Sequence, residues 1–126
     1  MSRKIIATDQ APGAIGPYSQ AIDSDGLVFT AGQIPLDPQT MDLVGETAPE
    51  QARQALRNAR AVLQAAGASL ADVVKVTVFV RDMGQFAAIN EVYQEFFREA
   101  PPARSVVEVS GLPRGALVEV EMVARR

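Results

Sequence analysis

The sequence predicts an α+β domain: one mixed β-sheet with two helices packed on a single face. Three observations lead there. Stretches of strand-like alternation lie near both ends of the chain and in its middle, two stretches of helical apolar spacing separate them, and Gly- and Pro-rich turns punctuate the boundaries. With 126 residues the chain makes one domain, 1–126, and has no room for a second.

The elements follow in order. Ala11-Pro12-Gly13-Ala14-Ile15-Gly16-Pro17 holds two prolines and two glycines, a stiff irregular segment that continues neither a helix nor a central strand. Tyr18 to Ile22 reads as extended, Asp25-Gly26 as a hairpin turn and Leu27 to Ile34 as its second strand, closed by the prolines of Pro35-Leu36-Asp37-Pro38. Thr47-Ala48-Pro49-Glu50 is a capping box. The Thr47 hydroxyl can accept from the Glu50 amide while Glu50 reaches back, so a helix starts there. Ala52, Ala55, Leu56, Ala59, Val62, Leu63 and Ala66 form its apolar stripe, Gly67 ends it, and Arg53, Arg57 and Arg60 lie off the stripe on a solvated face.

Val73 to Arg81 alternates, with Val74, Val76, Val78 and Val80 on one face and Lys75, Thr77, Phe79 and Arg81 on the other. A second helix runs from Asp82 as N-cap to Arg98, its buried face built by Phe86, Ile89, Tyr93, Phe96 and Phe97, and Pro101-Pro102 ends it. Strands over Arg104 to Ser110 and Leu117 to Ala124 flank the turn Gly111-Leu112-Pro113-Arg114-Gly115. Two helices cover one sheet face only. The other face collects Phe29, Phe79, Leu117 and Val123 beside Gln33, Lys75, Thr77, Arg104, Glu108, Glu119 and Glu121, a mixture that another subunit is expected to cover.

Composition narrows the chemistry. Apolar residues are 48% and charged residues 21% of the chain, which sets it among globular rather than disordered sequences. Cysteine and histidine are both absent. That removes disulfides, thiolate nucleophiles, most zinc sites and every Ser-His or Cys-His pair, leaving carboxylates, arginine, tyrosine, hydroxyls, backbone groups and water. The net charge of −3, with no basic run beyond Arg125-Arg126, argues against nucleic acid or an anionic membrane as the primary partner. The apolar stretch in Met1-Ser2-Arg3-Lys4-Ile5-Ile6 is too short for a signal peptide, and nothing later approaches a membrane span, so the expected location is the cytoplasm. No P-loop, GxGxxG or metal-ligand cluster appears, and Lys4 and Lys75 are the only lysines that could form a Schiff base.

Arg104, held at a strand entrance behind Pro101-Pro102-Ala103, offers a planar fork suited to a carboxylate; the same guanidinium could serve as a structural ion pair to Glu121, Glu119 or Glu108. Glu119 and Glu121 share one strand face at a spacing of about 6–7 Å. Covered by a partner, at least one of them would hold its proton more tightly and so exchange it near neutral pH; left open, both are ordinary surface acids. Tyr18 follows a Gly-Pro step that fixes its backbone, and Gly32 is a strand glycine where a ligand can approach the main chain or where a bulge can form. Asn90 is a polar position on the second helix.

Ala14-Ile15-Gly16-Pro17-Tyr18-Ser19-Gln20, Thr30-Ala31-Gly32-Gln33-Ile34-Pro35, Gln51-Ala52-Arg53, Val78-Phe79-Val80-Arg81-Asp82, Pro102-Ala103-Arg104-Ser105 and Val120-Glu121-Met122 together resemble the reactive intermediate deaminase (RidA/YjgF) family over nearly the whole chain. The resemblance implies a chorismate-mutase-like α+β fold and a homotrimer that buries the second sheet face, with sites between subunits. It implies 2-iminobutanoate/2-iminopropanoate deaminase activity: cofactor-free and metal-free hydrolysis of enamine and imine intermediates, chiefly 2-aminoacrylate, to 2-keto acids and ammonia. On that reading Arg104 grips the substrate carboxylate and Glu121 orients the attacking water and manages its proton. The backbone near Gly32 and the carbonyl of Val106 hold substrate, and Tyr18 and Asn90 line the cleft. Val106 stands where many relatives have Cys, which leaves a carbonyl in place but no thiol, and Ala31 replaces a serine of some relatives. The alternative function is a non-catalytic trimer that binds small carboxylates or regulates other proteins. Ribonuclease activity, attributed to some members, fits poorly with an acidic chain lacking histidine.

Overall fold

The computed structural model describes residues 3–126; Met1 and Ser2, part of the stretch weighed as a signal segment, lie outside them. Eight principal elements follow in chain order: β1 (Arg3–Ile6), β2 (Ala21–Ser24), β3 (Leu27–Thr30), α1 (Ala48–Ala65), β4 (Val73–Val80), α2 (Phe86–Phe96), β5 (Ala103–Glu108) and β6 (Val118–Arg125). One six-stranded sheet has the order β1-β2-β3-β6-β4-β5. All neighbours are antiparallel except β4 and β5, which α2 joins by a crossover and which run parallel. Both helices pack on one face, as the α+β reading expects.

The reasons are local for α1. Thr47 accepts from the Glu50 amide and Glu50 bonds back to the Thr47 amide, closing the capping box. Pro49 occupies the first turn, and Gly67, with φ 81°, leaves the helix in the left-handed conformation. The stripe from Ala52 to Leu63 is buried against Val28, Val76, Val78, Val80, Val118, Val120, Met122 and Ala124 of the sheet. Each of the fully enclosed Leu56, Val62 and Leu63 side chains contributes about 1.5–3 kcal/mol by leaving water.

Several boundaries differ from the sequence reading, each for a physical reason. Strand β1 was not anticipated: Arg3 and Lys4 carry no strand signal, and only pairing with β2 makes them extended. The first hairpin strand starts at Ala21 rather than Tyr18, because Tyr18 folds back, donating its amide to the Gly16 carbonyl at 3.0 Å. Asp82 caps a short 3-10 turn, Met83–Gln85, by accepting from the Gly84 amide, so α2 proper begins four residues later. In β4 the ladder to β6 slips between Val73 and Lys75. The extra residue, Val74, is pushed out to 47% exposure, and Val73 takes its place in the core.

A second bulge matters more. Phe29 opposes Val123 and Gln33 opposes Val120, so β3 spends four residues where β6 spends three. The surplus falls at Ala31-Gly32, and the Thr30 hydroxyl fills the broken ladder by accepting from the Met122 amide at 3.0 Å. Alternation restarts after the bulge, which turns Gln33 to the helix face, where it is buried, rather than to the open face. Leu117 likewise packs against the helix-side core. What remains on the open face includes Leu27, Phe29 and Val107, each at least 40% exposed.

Candidate active site

Parallel pairing places Arg104 beside Val76 and Glu108 beside Val80, on the helix face of the sheet and not on the open face. There the Arg104 guanidinium lies over the Tyr93 ring, 4.6 Å from its centroid, and 5.3 Å from that of Phe86. One NH1 proton is donated to Asn90 Oδ1 at 2.8 Å. No carboxylate pairs with Arg104 among the described residues. Glu108 accepts from the Met83 amide, and the ion pairs are Arg53–Glu95 and Arg126–Asp23. A half-buried guanidinium with aromatic neighbours and no counter-ion keeps donors that can take an anion. Val106, two residues on, shares this face of edge strand β5 beside Val78.

The second cluster lies in a cleft of ≈ 530 Å³ lined by Tyr18, Gly32, Gln33, Ile34, Arg114 and Glu119. The bulge makes this cleft. Glycine at position 32, which has no Cβ, admits the Glu119 side chain, whose carboxyl carbon sits 2.8 Å from where a Cβ would be. Burial raises the Glu119 carboxyl above the usual range, and the neighbouring Glu121 charge adds to the rise. A carboxylate so placed can take a proton from water and return it. The Tyr18 hydroxyl accepts the Ile15 amide at 3.1 Å, leaving the exposed ring as a wall of the cleft. Arg114, with φ 61°, lines the cleft and donates to the Met41 carbonyl at 3.1 Å. A larger hollow of ≈ 810 Å³ beside β1 is walled by residues that include Ile5, Ile6, Ile15 and Met41, and the acid on its lining, Asp9, is exposed.

Of the residues singled out from sequence, Tyr18 and Gly32 thus meet in one cleft, and Arg104, Asn90 and Val106 gather in another place. Glu121, the expected water-handling acid, is exposed beside Thr77 and does not line the cleft; Glu119 is the carboxylate that does. The two share a strand face, so period-two spacing could not separate them. Phe86 and Tyr93 were read as core only, although their spacing with Asn90, four and then three residues, already placed all three on one helical stripe. Arg114 was read as a turn residue. Among the described residues no group of His, Cys, Asp and Glu side chains could hold a metal ion.

The two clusters cannot serve one small molecule within a single chain. Arg104 is level with Met122 of β6 through Val76, three residues along and two strands across from Glu119. At about 3.3 Å per residue and 4.8 Å per strand their Cα atoms are roughly 14 Å apart, on opposite faces of the sheet.

Comparison with known proteins adds an independent line. The endoribonuclease L-PSP family pattern matches residues 8–126. A RutC family protein of Synechocystis sp. is 56% identical over 126 residues, covering 98% of this chain and 97% of the relative. The 2-iminobutanoate/2-iminopropanoate deaminase of Salmonella typhimurium is 49% identical over 126 residues, covering 98% of each. The crystal structure of E. coli TdcF with bound serine superposes with a TM-score of 0.93 at 48% identity, again covering 98% of both chains.

Proposed function

This chain belongs to the endoribonuclease L-PSP family, the family of the reactive intermediate deaminases, and from that premise we propose that it hydrolyses small 2-imino acids to 2-keto acids and ammonia at a site completed by two copies of the chain. The separation of Arg104 from Glu119 carries this reading. An unpaired guanidinium and a proton-holding carboxylate are complementary halves, and only a neighbouring copy can bring them together. A cyclic homotrimer does so with one repeated head-to-tail contact and covers the apolar open face at Leu27, Phe29 and Val107.

Arg104 of one copy takes the substrate carboxylate with two parallel hydrogen bonds. Glu119 of the next copy, with the Gly32 backbone and Tyr18 around it, holds a water against C2. In the protonated imine C2 is already electrophilic, so the water oxygen bonds to it and the C=N pair moves to nitrogen as Glu119 accepts one water proton, giving an amino alcohol. Glu119 returns that proton to nitrogen and then takes the hydroxyl proton as the oxygen pair forms the C=O bond and the C–N bond breaks, so that ammonia and the 2-keto acid leave. An enamine such as 2-aminoacrylate enters after a proton moves to its terminal carbon. A C–O bond replaces the C–N bond with no change of oxidation state, and the proton transfers fall to Glu119, so the route calls on no redox cofactor. The backbone carbonyl of Val106 is available to the substrate from the Arg104 side. The serine in TdcF has the carboxylate and C2 nitrogen of such a substrate, and deaminase-named relatives support the reaction class. Imines released by pyridoxal enzymes in the cytoplasm are the expected source.

Mixed assembly tests this directly. Arg104→Ala and Glu119→Ala proteins should each fail to speed pyruvate and ammonia release from 2-aminoacrylate generated in situ. Co-expressed, they should recover about a quarter of wild-type activity, because that share of head-to-tail contacts unites an intact Arg104 with an intact Glu119. No recovery would place both residues in one chain's site or outside catalysis. Pyruvate binding by the wild type without any acceleration would leave a carboxylate-binding module.

A further inference from the structure

We propose that Phe86, Asn90 and Tyr93 of α2 act as a clamp that sets the plane and rotation of the Arg104 guanidinium, making them positioning residues for carboxylate capture. The proposal rests on the reading of Arg104 as the carboxylate ligand. The three residues fall at i, i+4 and i+7, one above another on the same helical face. Tyr93 and Phe86 meet the cation by their rings, at 4.6 and 5.3 Å from the centroids. A cation held over two rings keeps available the N–H donors that point away from them. Asn90 Oδ1 then takes one NH1 proton at 2.8 Å, which fixes rotation within the guanidinium plane. The Nε and NH2 donors have no partner among the described residues and form the pair of parallel donors that a carboxylate matches.

Tyr93 itself shows which part of the side chain matters. Its hydroxyl is buried with no hydrogen-bond partner, so the phenol oxygen does not anchor it. The ring does: it meets both Arg104 and Phe97, the latter at 4.8 Å between centroids and tilted 34°. Retaining Tyr93 for its ring means that phenylalanine should replace it without harm. An arginine side chain free in solvent would lose much rotamer freedom on binding; one already held by α2 loses little, and the difference appears as affinity.

The experiment measures pyruvate binding by calorimetry and hydrolysis of 2-iminopropanoate generated in situ from alanine, for Phe86→Leu, Asn90→Ala, Tyr93→Leu and Tyr93→Phe beside Arg104→Ala. Phe86→Leu and Tyr93→Leu should each weaken pyruvate binding and raise KM by about five- to tenfold, with the shift falling on KM rather than kcat. Asn90→Ala should act in the same direction, and Tyr93→Phe should bind as the wild type does. Phe86 lies at the surface, so Phe86→Leu folds regardless of any packing loss at Tyr93. Wild-type pyruvate affinity in Phe86→Leu, or equal loss in Tyr93→Phe and Tyr93→Leu, overturns the clamp. An Arg104→Ala protein that still binds pyruvate overturns instead the assignment of Arg104 to the carboxylate.

Discussion

Replacing Gly32 by alanine separates a glycine kept for a carboxylate from one kept for its backbone. Gly32 does not occupy the left-handed region, so an alanine there meets no backbone strain. The added methyl would overlap the Glu119 carboxylate, lying 2.8 Å from Cδ and 3.2 Å from Cγ. Carbon atoms settle at about 3.5–4.0 Å, so Cδ must retreat by at least roughly 0.7 Å and the carboxylate oxygens by more. Misplacement of a reacting group by about 1 Å lowers turnover by roughly a hundredfold. The expected kcat for 2-iminopropanoate is therefore about one-hundredth of wild type, with pyruvate binding through Arg104 retained. Overpacking should also lower stability by about 1–3 kcal/mol in urea titrations at fixed protein concentration. Glu119→Ala removes the obstacle, so Gly32→Ala should be nearly neutral in that background, a coupling that a double-mutant cycle reads directly. A Gly32→Ala protein with wild-type turnover, or one destabilised equally in both backgrounds, refutes the reasoning.

Glu119→Gln should abolish hydrolysis while sparing pyruvate binding, whereas Glu121→Gln should stay active with the acidic limb of its pH–rate profile moved to lower pH, because the Glu121 charge helps raise the Glu119 carboxyl. Glu119 also links pH to stability. At pH below the ordinary carboxylate range it is protonated folded or unfolded and has no effect; as pH rises through its raised folded value the fold must bury an anion, so Glu119→Gln should gain on the wild type in urea midpoint with rising pH. Asp23 has the opposite sign. The Arg126 guanidinium at 2.7 Å and the Gly26 amide at 2.9 Å hold its carboxyl below the usual range. Its stabilisation is present above the unfolded value and lost as pH falls through the folded one, so Asp23→Asn should lower the urea midpoint at pH 7 and differ little from wild type in strong acid. Phe29→Glu, on the open sheet face, should yield monomers in sedimentation and lose hydrolysis together with assembly; an active monomer would contradict a site shared between copies.

Local chemistry was enough to read much of this molecule from its residues. The bounds of α1 follow from a capping box and a left-handed glycine, interactions between near neighbours, and the valine alternation of β4 and β6 exposes one sheet with one helix-covered face. Gly32 was legible as a point of close approach because a strand glycine lacks a Cβ, and the Glu119 side chain fills that space, whereas a cleft role for Tyr18 came only with the family resemblance. Parity was not legible. Alternation tells which residues share a face, but the parallel register of β5 with β4 decides that Arg104 belongs to the helix side, and a one-residue bulge at Ala31-Gly32 decides that the cleft opens on Glu119 and not on Glu121. Val74 left the core for the same reason. A bulge or a register is set by how distant strands close on one another, an energy spread over contacts many residues apart, and so it is decided only when the whole sheet is assembled.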